Sequence, residues 1–156
     1  MRKVVRGWIV IIIGLLTWNL SEAIAQDGKA TFTSKAPFAQ VAAALQQAIA
    51  GEKMGLVCHA NAQAGAAARG VKIPGNQVLM LFRPDFAIRM LKASVEAGFE
   101  APIRIYIYEN PDGTATIMYR KPSAVFGPYS HGELDAIGAE LDPIFERVVA
   151  QALAVR

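Results

Sequence analysis

The most constraining feature of this sequence is a run of four turn-forming residues, Asn110-Pro111-Asp112-Gly113, between two β-rich segments. The pattern predicts a β-hairpin formed by residues 103–109 and 114–119. Because side chains alternate along a strand, Ile103, Ile105 and Ile107 should share one face of this hairpin. The other face is predicted to carry a polar and aromatic cluster made of Arg104, Tyr106, Tyr108 and Tyr119.

Further strands are predicted at residues 30–35, 54–59 and 78–82, the last from five consecutive apolar residues. Amphipathic helices are predicted after Pro37 and Pro84 and at the carboxyl end of the chain, with a short alanine-rich helix within residues 60–70. The chain is therefore expected to form a single α/β (α+β) domain. Its mixed β-sheet of about five strands should carry helices on at least one face.

Two of the helices give more detailed predictions. The helix after Pro84 should direct a stripe of apolar side chains inward, namely Ala87, Ile88, Leu91 and Val95. The last helix is predicted to begin with a capping box of Ser130 and Glu133. Pro143 interrupts its apolar stripe, which predicts a kink or a restart with Asp142 as a new cap.

The amino-terminal 25 residues have the pattern of a secretory signal peptide. Three basic residues precede an apolar run over residues 8–16, and Ala23-Ile24-Ala25 supplies the small residues of a cleavage site. The alternative is a retained membrane anchor, but a span requires about 20 apolar residues. We therefore expect a periplasmic or secreted mature chain, residues 26–156, that begins at Gln26 and has no transmembrane span.

Charge argues against a nucleic-acid partner. Residues 26–156 carry 13 basic and 12 acidic side chains, a net charge of +1. Nucleic-acid binding needs a marked basic excess to neutralise phosphates, and this segment has none.

The sequence lacks the common catalytic signatures, so an enzymatic function is less favoured than binding but stays among the hypotheses. The sequence has no phosphate loop, no G-x-S-x-G elbow, no H-E-x-x-H and no C-x-x-C. Cys58 and His59 are adjacent on a predicted strand, so their side chains should point to opposite faces and not form a nucleophile–base pair. The pattern specifies no cofactor.

Cys58 and His59 are nevertheless the candidate metal ligands. Since Cys58 is the only cysteine, it cannot form an intramolecular disulfide. It is either a buried apolar thiol, an intermolecular bridge, or a ligand for a soft metal ion, with Met54 or Met80 as a possible companion.

The candidate ligand-binding residues are His59, Arg83, Tyr106, Tyr108 and Tyr119. His59 is either a structural residue that bonds a loop carbonyl or a polar group that projects into a pocket at the strand ends. Arg83 precedes a helix N-terminus, where an anion can be held. The tyrosines form either a solvated or subunit-facing sheet surface or the floor of a ligand site.

The order of these segments resembles that of the DUF302 family, a domain of unknown function also called TT1751-like. The resemblance is carried by PFAQVAAALQQAI, GLVCHANAQAGAAARG, QVLMLFRPDFAIRML and APIRIYIYENPDGTATIMYRKP together with the closing helix, over residues 31–153. It implies an α/β domain with a mixed sheet that is frequently dimeric and has no established activity. The family typically has Asp-His where this chain has Cys58-His59, and Phe-Gly-Asn-Pro where this chain has Phe82-Arg83-Pro84.

Two functional hypotheses follow. In the first, the protein is an exported, non-enzymatic module that binds a small molecule or a soft metal ion at the His59 end of the sheet. In the second, it is an interaction or accessory subunit whose hairpin face and free edge mediate self-association as a homodimer or docking to an envelope complex. A third, less favoured hypothesis is an enzyme with His59 as acid or base.

Overall fold

The computed structural model describes residues 28–155, so the predicted signal segment lies outside the described residues. The strands are β1 (Lys29–Pro37), β2 (Gly55–Asn61), β3 (Asn76–Phe82), β4 (Ile103–Glu109) and β5 (Thr114–Arg120). The helices are α1 (Phe38–Gly51), α2 (Ala62–Ala67), α3 (Pro84–Ala93), α4 (Pro122–Phe126) and α5 (Gly132–Leu153). Short 3₁₀ turns cover Glu96–Glu100 and Gly127–Tyr129. No helix within residues 28–155 has the length and apolar character needed to cross a membrane.

The five strands form one sheet in the order β1-β5-β4-β3-β2. The predicted single α+β domain is confirmed, with one difference: all four neighbouring strand pairs are antiparallel, so the sheet is not mixed. The reason is topological. The strands joined by α1, β1 and β2, run in the same direction but lie at opposite edges, whereas α3 joins the antiparallel neighbours β3 and β4.

The predicted hairpin of β4 and β5 is confirmed. Its turn is closed by the Asn110 amide, which donates to the Thr114 carbonyl at 2.8 Å, and by the Gly113 amide, which donates to the Asn110 carbonyl at 2.9 Å. Gly113 has a φ of +82°, a conformation that glycine adopts without strain.

The helices cover only one face of the sheet. Alternate residues of the central strands, among them Leu79, Ile105 and Ile117, are buried on this face against α1 and α5. Their neighbours on β3 and β4, such as Met80 and Arg104, lie on the opposite face and are half-buried or exposed. The sheet therefore has a helix-covered face and an open face.

The inward face predicted for α3 is wrong. Phe86 and Met90 are its buried residues, whereas Ile88, Leu91 and Val95 are exposed, Val95 by 79%. Spacing alone permits either face, and contacts of α3 with α5 decide between them. Phe86 and Met90 lie one turn apart and join the core, and Arg89 beside them donates hydrogen bonds to Glu133 and Glu140 of α5.

The predictions for the start and the middle of α5 are also corrected. The N-cap is His131, whose Nδ1 accepts from the Glu133 amide at 3.2 Å, because Ser130 adopts a left-handed conformation with φ +50°. The helix continues through Pro143 without a restart, and Pro143 lies on its exposed side. Asp142 caps nothing in α5; its carboxylate accepts from the Ser123 amide and hydroxyl of α4.

Candidate ligand-binding site

The antiparallel register places a row of polar and apolar side chains across the middle of the open face. Tyr106 of β4 lies directly between Val78 of β3 and Met118 of β5. Arg104, two residues before Tyr106, lies opposite Met80. The centre of the open face is therefore an apolar floor with one tyrosine and one guanidinium group.

This floor forms the base of a cleft of about 740 Å³, which is in the size range of small-molecule sites. One wall consists of Phe99, Glu100 and Pro102, from the segment that leads into β4. The side chain of Phe99 is 89% exposed, so its ring is accessible for contact with a ligand in the cleft. The remaining border is formed by Lys29 of β1, Arg120 of β5 and Val125 of α4.

The charges around the cleft favour an anion. Among the described residues that line it, Lys29 and Arg104 bring positive charge, against one carboxylate, that of Glu100. The Glu100 carboxylate accepts a hydrogen bond from the Tyr129 hydroxyl at 3.1 Å. The exposed side chain of Arg104 makes no hydrogen bond or ion pair with any residue in the described part of the chain. Arg104 is therefore free to bind a ligand.

Tyr106 is oriented by its neighbours. Its hydroxyl accepts a hydrogen bond from Asn76 Nδ2 at 2.5 Å, and its ring centroid lies 5.5 Å from that of Tyr108. Both tyrosines lie on the open face beside Arg104, as predicted; of these two, Tyr106 lines the cleft and Tyr108 does not.

Tyr119 contributes to the lining of the cleft but does not share the open face with this cluster, which corrects the predicted grouping. The register pairs it with Ile105, so its ring lies on the helix-covered face, 6.1 Å from the ring of Phe32 and 5.5 Å from that of Phe145. The side chains of β5 that do reach the open face are Met118 and Arg120, which the sequence interpretation missed. The register is set by pairing of Asn110 with Thr114, which leaves only Pro111, Asp112 and Gly113 in the loop. Direct pairing across four turn residues would be shifted by one residue and would place Tyr119, not Met118, on the open face.

Arg83 is engaged elsewhere. Its guanidinium donates to Asp85 at 2.8 Å and lies 4.2 Å from the centroid of the Phe86 ring. The hydrogen bond from Arg83 lowers the pKa of Asp85, and nearby positive charge adds to the effect. The predicted anion-binding role of Arg83 is therefore opposed by a carboxylate two residues along the chain.

His59 lies at the edge of the sheet, in the middle of β2 and not at a strand end. Its side chain is exposed on the helix-covered face, and Nε2 donates to Gln77 Oε1 at 2.9 Å. Gln77 is buried and lines a second depression of about 410 Å³ beside α1, whereas His59 does not line it. His59 therefore bonds a residue that lines this depression and does not line it itself.

The predicted metal ligands Cys58 and His59 do not converge, although one of the two possible companions of Cys58, Met80, lies directly opposite it. Cys58 is exposed on the open face opposite Met80, His59 lies on the helix-covered face, and Met54 is buried in the core. The predicted opposite orientation of Cys58 and His59 is thus confirmed, and the alternative of a buried thiol is wrong. Within residues 28–155 no three His, Cys, Asp or Glu side chains are grouped to hold a metal ion.

Comparison with known proteins agrees with the fold. The family model described as "Domain of unknown function DUF302" matches residues 30–152. A crystal structure of an uncharacterized conserved DUF302 protein from Bacillus stearothermophilus is similar, with a TM-score of 0.69 and 17% sequence identity. The match covers 80% of this chain and 98% of that chain. No functionally curated protein matches the sequence.

Proposed function

This chain belongs to the DUF302 family, a domain of unknown function, and we propose that it is a non-catalytic module that binds a small, partly apolar anion in the open-face cleft. The single observation that carries this proposal is the unpaired guanidinium of Arg104 beside an apolar floor. A carboxylate or sulfonate would pair with Arg104 through charge-assisted hydrogen bonds. An aromatic or alkyl body would cover Met80, Tyr106 and Met118.

The lining chemistry favours binding over catalysis. General acid–base catalysis needs a titratable group within hydrogen-bond reach of the substrate. Among the described residues that line the cleft, the only carboxylate is Glu100, which already accepts a bond from Tyr129, and no histidine or cysteine is present. The other titratable groups there are the amine of Lys29 and two phenols: that of Tyr106 is bonded to Asn76 and that of Tyr119 is buried. A soft metal ion is not part of the proposal, because Cys58 and His59 lie on opposite faces of β2.

The proposal is tested with an amphipathic anion as probe, 8-anilinonaphthalene-1-sulfonate, whose fluorescence rises in apolar surroundings. We expect Arg104→Met to weaken its binding at least about tenfold, because the variant keeps the apolar stem and removes the charge. The matched control is Arg69→Met, since Arg69 lies after α2 and its side chain bonds only the Gly65 carbonyl. Fluorescence titration at low and high salt measures both affinities.

Two results would contradict the proposal. One is equal affinity of the native protein and the Arg104→Met variant for the probe. The other is affinity that does not change with salt, since a charge-assisted contact at an exposed site is screened. Either result would mean that the probe binds apolar surface alone, such as the exposed side chains of Ile88, Leu91 and Val95.

A further inference from the structure

The two edges of the sheet differ in a way that matters for association. Edge strand β1 carries Lys29 and Lys35, ends at Pro37 and has an irregular register between Thr33 and Pro37. Charges, proline and bulges are the features that keep a sheet edge from pairing with another chain. Edge strand β2, with the sequence GLVCHAN, has no charged residue and no proline.

The outer edge of β2 is also uncovered. Four consecutive residues, Val57 to Ala60, are exposed although their side chains alternate between the two faces. Within residues 28–155, no backbone hydrogen bond other than those to β3 engages residues 56–60. The outward-facing amide and carbonyl groups of residues 56–60 therefore have no backbone partner in the part of the chain that the structure describes.

The bulge in β2 limits where another strand can pair. The register shifts between Leu56 and Cys58, so Val57 is the extra residue, and the regular part of the edge begins at Cys58. This part carries the small side chains of Cys58 and Ala60 on the open face and His59 on the other face. No lysine, arginine, aspartate, glutamate or proline lies in this part of the edge, and side chains on either face stand away from the plane in which another strand would pair.

From these observations we propose that β2 is the interface for a second copy of this chain, which adds its own β2 antiparallel to the first and extends the sheet to ten strands. A second copy fits because an uncharged strand meets itself without like charges opposite each other. Antiparallel pairing of two identical β2 strands is produced by a two-fold axis perpendicular to the sheet. This axis places the open faces of both copies on the same side, so two residues that lie opposite each other across the interface must have side chains on the same face. The centre of the pairing is therefore one residue opposite itself, at Cys58, His59 or Ala60.

The proposal is tested with the full-length chain by disulfide trapping. Diamide, a two-electron oxidant, takes up the two thiol protons and electrons as one sulfur–sulfur bond forms. Directly opposed residues have Cα atoms about 4.5–5.5 Å apart, within the range of a disulfide, whereas diagonal neighbours at about 7–8 Å are too distant. Three single-cysteine proteins are compared: the native chain, Cys58→Ala with His59→Cys, and Cys58→Ala with Ala60→Cys.

We expect light scattering to give twice the chain mass at about 100 µM, since a small interface of this kind associates at micromolar concentrations. One of the three cysteine positions should be trapped as a dimer in high yield. The control is Cys58→Ala with Thr31→Cys on β1, which should stay unlinked. Ala60→Lys should return the protein to a monomer by placing like charges across the axis, whereas Thr31→Lys should not.

Three outcomes would overturn the proposal. A monomer at about 100 µM would show that the edge does not pair. A dimer without trapping at any of the three β2 positions would place the contact elsewhere, for example on the open face. Trapping at Thr31 would assign the interface to the opposite edge.

Discussion

The hydroxyl of Tyr119 is buried without a hydrogen-bond partner, the one such side-chain atom within residues 28–155. Burial raises the pKa of this phenol to about 12, with the negative charges of Glu146 and Asp142 adding to the shift. A buried polar group without a partner lowers stability, because it loses its bonds to water on folding. At this position the aromatic ring of Tyr119 stabilises the folded protein through packing, whereas its hydroxyl lowers that stability.

Tyr119→Phe should therefore raise the free energy of unfolding at pH 7 by about 1 kcal/mol. The native protein should also lose stability between about pH 10 and 12. In this window the unfolded chain has already released the Tyr119 proton while the folded chain still holds it, so the free energy of unfolding falls as pH rises. The part of this loss of stability that comes from Tyr119 should be absent from the Tyr119→Phe variant.

Urea denaturation of both proteins across this pH range measures the two effects. Tyr108→Phe, on the open face, serves as the control for ionisation of tyrosines in general. A Tyr119→Phe variant that is less stable than the native protein at pH 7 would mean that the hydroxyl has a bonding partner.

At the scale of elements, the helix layer depends on a close contact between α4 and α5. Gly138 of α5 is buried, and a Cβ atom added there would lie 2.6 Å from Ser123 Cα and 3.0 Å from the Ser123 amide nitrogen. Ser123 is also bonded to Asp142 one turn further along α5. The glycine thus permits both the packing and the hydrogen bonds that join the two helices.

Gly138→Ala should destabilise the fold by about 1–3 kcal/mol, because backbone atoms of α4 must move to make room for the new methyl group. The opposite sign, a gain of about 1 kcal/mol, is expected when a glycine in an exposed helix is replaced by alanine. Gly132→Ala at the start of the same helix is the matched control, since nothing lies within 4 Å of its added Cβ. Relative to the native protein, the melting temperature should fall in Gly138→Ala and should not fall in Gly132→Ala. Equal changes in the melting temperatures of the two variants would contradict this account of Gly138.

At the scale of the whole molecule, a five-stranded sheet covered on one side leaves its open face and its β2 edge available for binding. The proposals for the cleft and for the edge are independent, since β2 contributes none of the residues that line the cleft. Loss of probe binding in Arg104→Met therefore need not change the mass of the protein, and trapping at β2 need not change affinity for the probe.

We further propose that this molecule is exported, which the pattern of residues 1–25 supports. Intact-mass measurement of the protein from its natural host should give a chain that begins at Gln26. A mature protein that retains residues 8–16 would contradict cleavage and favour a membrane anchor.

The sequence alone was sufficient for the features that depend on local geometry. The β4–β5 turn follows from the conformational preferences of Asn110, Pro111, Asp112 and Gly113, and the division of Ile105 from Tyr106 follows from the period of a strand. The opposite orientation of Cys58 and His59 has the same origin. Each of these features is determined by residues within a few positions of one another.

Features that depend on pairing between distant segments were decided only by the tertiary structure. Strand order determines that β2 is an edge, where Cys58 and His59 are both exposed. The register of β5 turns Tyr119 into the core and brings Met118 and Arg120 to the cleft. Hydrophobic periodicity cannot supply these facts, because it identifies which residues share a face but not which face another element covers.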